Sequence, residues 1–176
     1  RGQESDPWKV MLSSPIERIQ EKYHKSQNDI GSNQNPYNYM INREFITDES
    51  DFPSVQCFKG GIEFLDINRT ADNWFLQIET FDPHEPFFAP DRLRAKFQTK
   101  YKGPILDWPR YARVTENQDE IDELRANYMA LLCLCDELLG EVLDYFDRFE
   151  LWRDTALIVA TDHGFLLGEH DWWAKN

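Results

Sequence analysis

Only four histidines occur in the 176-residue chain, and three of them, His84, His163 and His170, fall in two short segments. His84 sits in Phe81-Asp82-Pro83-His84-Glu85-Pro86, between two prolines that stiffen the loop and fix the direction of the ring. Such an imidazole can donate a hydrogen bond to an anion or act as a proton donor. Asp162 and His163 are adjacent, so a carboxylate and an imidazole can both reach one cation, and Gly164 is expected to let the backbone turn sharply behind them. Lys175 follows Trp172-Trp173-Ala174, where large aromatics can bury its stem and hold the ammonium as a fixed counter-charge for an anion. Glu169 and His170 lie between, either as partners of the metal candidates or as plain loop residues. Each feature has a plainer reading by itself: a capped turn, a surface histidine, a solvated lysine. His24, the fourth histidine, stands in a polar stretch and reads as solvent-exposed.

The elements that must position these groups follow from periodicity. Trp74-Phe75-Leu76-Gln77-Ile78-Glu79-Thr80 is short, aromatic and aliphatic and predicts a buried strand ending at Asp82-Pro83. Ala156-Leu157-Ile158-Val159-Ala160-Thr161 predicts a second, ending in Asp162-His163-Gly164. Between them, from about Asp119 to Phe149, apolar residues recur at three- and four-residue steps, from Ile121 and Leu124 to Phe146 and Phe149. Asp119, Glu120, Asp122 and Glu123 crowd the start of this helix, where its dipole favours anions. Ile62 to Asn68 closes an earlier amphipathic helix. The order helix, strand, helix, strand is that of an α/β domain with a mainly parallel sheet, in which ligands bind beyond the carboxyl ends of strands. Both candidate site segments stand at such ends.

Residues 1–56 are polar and broken by Pro7, Pro15, Pro36 and Pro53, and read as a loop-rich lead-in to a core over 57–176. Within the lead-in, Ser13 to Gln27 predicts a helix capped by Ser14 with Pro15 at its first position, and Gln27 to Tyr39 reads as loop.

A hydrophobic fraction of 41% supports a buried core and argues against a disordered tail. The formal net charge of -13 argues against nucleic acid and anionic membrane as partners, while a local cationic or metal site still admits an anionic substrate. Cys57, Cys133 and Cys135 form no disulfide framework, and the latter two point to different helix faces. No signal peptide or membrane-spanning run is visible. The chain opens without Met and stops just past Lys175, so it reads as an internal piece, and its compartment and oligomeric state stay open.

Thr155 to Lys175 closely resembles a signature of the sulfatases, within the alkaline phosphatase superfamily, and Phe81-Asp82-Pro83-His84-Glu85-Pro86-Phe87 resembles that family's second signature. The helix between, with Tyr128-Met129-Ala130 and Asp136-Glu137-Leu138-Leu139-Gly140, is similar to the family's helix before the metal strand. The resemblance covers about 57–176 and implies part of an alkaline-phosphatase-like α/β/α sandwich. It implies that Asp162 and His163 are ligands of a divalent cation, usually calcium, with manganese, zinc and iron left open. It implies that Lys175 contacts the sulfate and the nucleophile, and that His84 hydrogen-bonds the sulfate or helps the leaving group depart. The substrate class is then a sulfated small molecule or sugar.

The family's nucleophile is a formylglycine made within Cys-x-Pro-x-Arg or Ser-x-Pro-x-Arg, a motif that no residue of this chain fits. The family's N-terminal pair of metal-binding aspartates is also absent. The chain by itself is therefore expected to bind metal weakly and turn over nothing. A phosphonate or phosphodiester hydrolase of the same superfamily, and a non-catalytic sulfatase-like binding module, are the alternatives. Substrate choice would rest on loops around 27–56 and 90–118, where Arg92, Arg94, Lys96, Lys100 and Lys102 either greet a polyanionic sugar or are solvated.

Overall fold

The computed structural model describes residues 15–28 and 36–175. Five α-helices occur among them: α1 Ile16–Gln20, α2 Pro36–Arg43, α3 Pro53–Asn68, α4 Asp91–Arg94 and α5 Gln118–Arg148. The 31-residue α5 is the spine of the molecule. Its start is fixed by a reciprocal cap, in which Asn117 Oδ1 accepts from the Glu120 amide at 3.1 Å and Glu120 Oε2 accepts from the Asn117 amide at 2.9 Å. Its inward stripe of Leu124, Leu131, Leu138, Val142 and Phe146 is buried, as the periodicity requires.

Three patches of core cover this stripe, the first with Leu124 packed on Leu106, Trp173 and Ala174 near the start of α5. Phe52, Phe87, Ala89 and Leu93 pack on Ala130, Leu131, Leu134 and Leu138, near the middle of α5. Leu65 of α3 packs with Val142, Tyr145 and Phe146 near its C-terminus. Gly61 is what lets α3 approach the segment 74–80, since a Cβ there would collide with the side chain of Ile78.

The sheet is where expectation and structure part. Segments 74–80 and 155–161 take no regular secondary structure, and neither pairs with a neighbour among the described residues. The first still alternates, with Trp74, Leu76 and Ile78 turned inward and Phe75 exposed, while Ile158 and Val159 of the second are exposed. A strand is defined by its ladder, and strand-like sequence without an adjacent strand does not form one. The one ladder among the described residues is a two-residue antiparallel pair, β1 Leu166–Leu167 with β2 Trp173–Ala174, in place of the mainly parallel sheet expected.

The described part of the lead-in is more ordered than its composition suggests. The region expected as loop through Tyr39 gives way to α2 at Pro36, whose missing N–H costs nothing at the start of a helix, and Met40 and Ile41 are buried. The helix expected from Ser13 is short: Pro15 is its cap and α1 ends at Gln20, while Ser14 lies outside the described residues. His24 is not free in solvent. Its Nδ1 shares a hydrogen bond of 2.7 Å with Ser26 Oγ, and its Nε2 lies 3.4 Å from Glu120 Oε1. No described helix is long and apolar enough to cross a membrane.

Candidate active site

His84 and Lys175, 91 residues apart, meet: Lys175 Nζ lies 2.7 Å from His84 Nε2. An ammonium can only donate, so Nε2 accepts and the ring proton sits on Nδ1. That nitrogen lies 2.7 Å from the carbonyl oxygen of Glu85. The His84 amide donates to Phe81 O at 2.9 Å, closing the turn, and both flanking bonds, Asp82-Pro83 and Glu85-Pro86, are cis. The Phe81 ring lies against His84 at 4.5 Å between centroids.

The loop is anchored from below. Phe87 is fully buried, edge-on to Tyr128 of α5 at 5.2 Å and to Phe165 at 5.3 Å. Phe165 directly follows Asp162-His163-Gly164, so one aromatic contact ties the two site segments together. The Phe87 amide also donates to the Asp107 carbonyl at 2.6 Å. The Asp107 carboxylate accepts from Gln27 Nε2 at 3.0 Å, from Tyr39 OH at 2.8 Å and from Arg43, whose guanidinium also lies 3.7 Å from the Phe88 ring. This buried ion pair braces the loop against α2.

Lys175 is aimed by β2. Trp173 is fully buried, its amide donates to Ala112 O at 3.0 Å, and its indole donates to Glu116 at 2.8 Å. The turn before it needs Gly168, whose φ is +98°, and Arg125 of α5 donates to Leu167 O at 2.8 Å. Lys175 Nζ stands 5.7 Å from the Tyr111 ring centre.

His163 faces the same space, with its ring 6.4 Å from that of His84. Its Nε2 lies 3.5 Å from Asp162 Oδ2. Asp162 is 86% exposed, so this edge of the site is open. As a donor set for a divalent cation, a carboxylate and an imidazole fit part of a shell, and no group of three such ligands occurs among the described residues. Gly164 has no positive φ and open space around it, so the sharp turn expected of it is not what it supplies. Glu169 and His170 serve their own turn instead: Glu169 Oε2 accepts from the Leu167 amide at 2.5 Å, and His170 has a φ of 56° and is exposed. Hydrogen bonds from the backbone hold the Glu169 carboxyl below its ordinary range.

Two acids in the loop were not singled out by sequence. Glu85 is buried, and Tyr111 OH donates to its Oε1. Burial pushes its carboxyl up, while its own backbone amide, then His84, Lys175 and His163, pull it back. Burial likewise raises Asp82, against a hydrogen bond from Ser54 and the charge of His84. Cys135 of α5 is pushed up to about 12 by burial and then by Asp82. The basic cluster is largely spent on neighbours: Arg92 pairs with Glu49 and Glu137, Lys96 with Glu137, and Arg94 with Asp91.

The family profile of the sulfatases matches residues 17–175, and the chain belongs to that family. The family's fold is of the alkaline-phosphatase-like α/β type. The chain is 25% identical over 130 residues to a multifunctional alkaline phosphatase superfamily protein of Trinickia caryophylli, a match covering 58% of this chain and 25% of that protein. It is 23% identical over 156 residues to choline-sulfatase of Rhizobium meliloti, covering 74% and 30%. It is 25% identical over 155 residues to iduronate 2-sulfatase of Mus musculus, covering 72% and 28%. The chain thus spans about a quarter to a third of the length of these relatives. No solved structure matches it.

Proposed function

We propose that the chain is part of the catalytic domain of a sulfuric ester hydrolase and supplies one side of its sulfate-binding crevice. Residues 57–176 carry the site-bearing core, and residues 1–56 lead into it. The observation that carries this reading is the 2.7 Å contact between Lys175 Nζ and His84 Nε2, which puts a fixed cation and an imidazole at one point. Lys175 keeps two further N–H donors for the equatorial oxygens of a sulfate. His84 stands where it can help the leaving group depart, through the Lys175 ammonium whose N–H its Nε2 accepts. Phe87, Phe165 and Trp173 hold these groups rigidly, so no reorganisation is needed as charge develops.

Asp162 and His163 would hold a divalent cation, calcium first among the candidates. When bound, it supplies positive charge for the sulfate oxygens and the nucleophile. The substrate is a sulfated small molecule or sugar, as the names of the choline and iduronate enzymes suggest. This sequence contains no Cys- or Ser-x-Pro-x-Arg motif, so the purified chain alone is expected to show no arylsulfatase turnover.

The reading frame preceding Arg1 tests the proposal. A Cys- or Ser-x-Pro-x-Arg motif behind a strand ending in paired aspartates supports it. A lone Thr or Ser nucleophile points to phosphoryl chemistry instead, and the lack of any nucleophile points to a binding module.

A further inference from the structure

Tyr111 touches the site at two places, once through its hydroxyl and once through its ring. The hydroxyl donates to Glu85 Oε1, and the ring lies under Lys175, with the ammonium 5.7 Å from the ring centre. Lys175 Nζ in turn lies 2.7 Å from Nε2 of His84, the chain neighbour of Glu85. Four side chains therefore close a circuit: Tyr111 to Glu85, Glu85 to His84 along the chain, His84 to Lys175, and Lys175 back to the Tyr111 ring.

Backbone pairing fixes the two segments that meet in this circuit. The Trp173 amide donates to Ala112 O at 3.0 Å, and the Val114 amide donates to Asp171 O at 2.9 Å. The stretch that carries Tyr111 thus runs beside the one that leads to Lys175. An ammonium on a four-carbon stem is a mobile point charge unless its neighbours restrict it. His84 Nε2 accepts one of its N–H groups. The electron-rich face of a phenol ring attracts the charge without taking a directed hydrogen bond, so it holds the ammonium to one side and leaves the other N–H groups for an anion. The Tyr111 hydroxyl is tied to a Glu85 side chain that has no exposed surface, which stops the ring from swinging away.

We infer that Tyr111 is a positioning residue for Lys175: its ring holds the ammonium in place for the sulfate, and Glu85 holds the ring. The inference rests on the sulfate-ester reading of this site. Tyr111 touches neither the sulfate nor the leaving group in this role, and no proton moves to or from it. It acts through the Lys175 charge alone.

The test separates the ring's electrostatics from its shape. In the intact protein, Tyr111 is replaced by phenylalanine and, separately, by pentafluorophenylalanine, which keeps the outline of the ring and reverses the sign of its face. With 4-nitrophenyl sulfate as the probe, Tyr111→Phe is expected to keep kcat/KM within about threefold, and the fluorinated variant to fall about tenfold below Tyr111→Phe. In a Lys175→Ala background the two should be equal, a result that a merely structural role for the ring would not produce. Tyr111→Leu, which removes the ring, decides the matter if the fluorinated protein does not fold: it should cost about tenfold beside Lys175 and nothing beside Ala at that position. A fluorinated variant as active as Tyr111→Phe, or the same loss in both backgrounds, would overturn the positioning role while leaving the sulfatase reading intact. A wild-type protein that hydrolyses no aryl sulfate would instead defeat that reading, and this inference with it.

Discussion

Phe87 and Phe165 pack edge to face with ring centres 5.3 Å apart, and each flanks one of the two segments that supply the site. Pro86 stands between Phe87 and Glu85, and Gly164 between Phe165 and His163. The aromatic pair is thus the joint through which the His84 loop and the Asp162-His163 segment share a position on α5.

His84 and Lys175 touch, so they are expected to act as a unit. In the intact protein, His84→Ala and Lys175→Ala are each expected to lower kcat/KM on an aryl sulfate by about 10²–10³-fold. The double variant should lose far less than the product of the two. Groups in direct contact are not additive, so a fully multiplicative double variant would separate their roles.

Arg43→Ala tests the brace behind the loop. It removes the charge partner of the buried Asp107 carboxylate, which Gln27 and Tyr39 cannot replace as counter-ions. The expected loss is about 3–5 kcal/mol in denaturant unfolding, the usual result of orphaning one side of a buried pair. A loss within the range of a surface substitution would mean that the network does not brace the loop.

Asp82 gives a pH dependence with a definite sign. Burial raises its folded-state pKa, so it binds a proton more readily when folded than when unfolded. Its contribution to stability is full below the ordinary carboxylate range and is lost as pH rises through the raised folded value. Asp82→Asn, which can still accept from Ser54, is therefore expected to raise the unfolding midpoint at about pH 7 and to leave it unchanged at about pH 3. Stabilisation of the same size at both values would assign the effect to packing.

The metal side predicts weak binding by this chain alone. Two ligands from an exposed edge should hold calcium with a Kd weaker than about 10⁻⁴ M in a calorimetric titration, and Asp162→Ala should abolish what binding there is. Tight binding that survives Asp162→Ala would place the cation elsewhere.

What the sequence made legible were the features set by local pattern. The stripe from Leu124 to Phe146 announced α5, and Lys175, beside two tryptophans, is brought against His84. The sheet was not legible in the same way. The residues of 74–80 and 155–161 carry a strand's side chains, but a strand also needs a neighbour, and that is a tertiary fact. Glu85 and Asp107 were missed because an isolated acid in a loop carries no sign of burial. The Tyr111 and Arg43 that hold them are 26 and 64 residues away. Glu169 and His170, which the sequence leaves open between partners of the site and loop residues, make their described contacts within their own turn.

The most direct test is the kinetics of the intact protein on 4-nitrophenyl sulfate, with and without Lys175→Ala, alongside a matched phosphate diester. The account predicts sulfate ester hydrolysis that falls by about 10²–10³-fold with the variant. Hydrolysis of the diester alone, or sulfate turnover indifferent to Lys175, would contradict it.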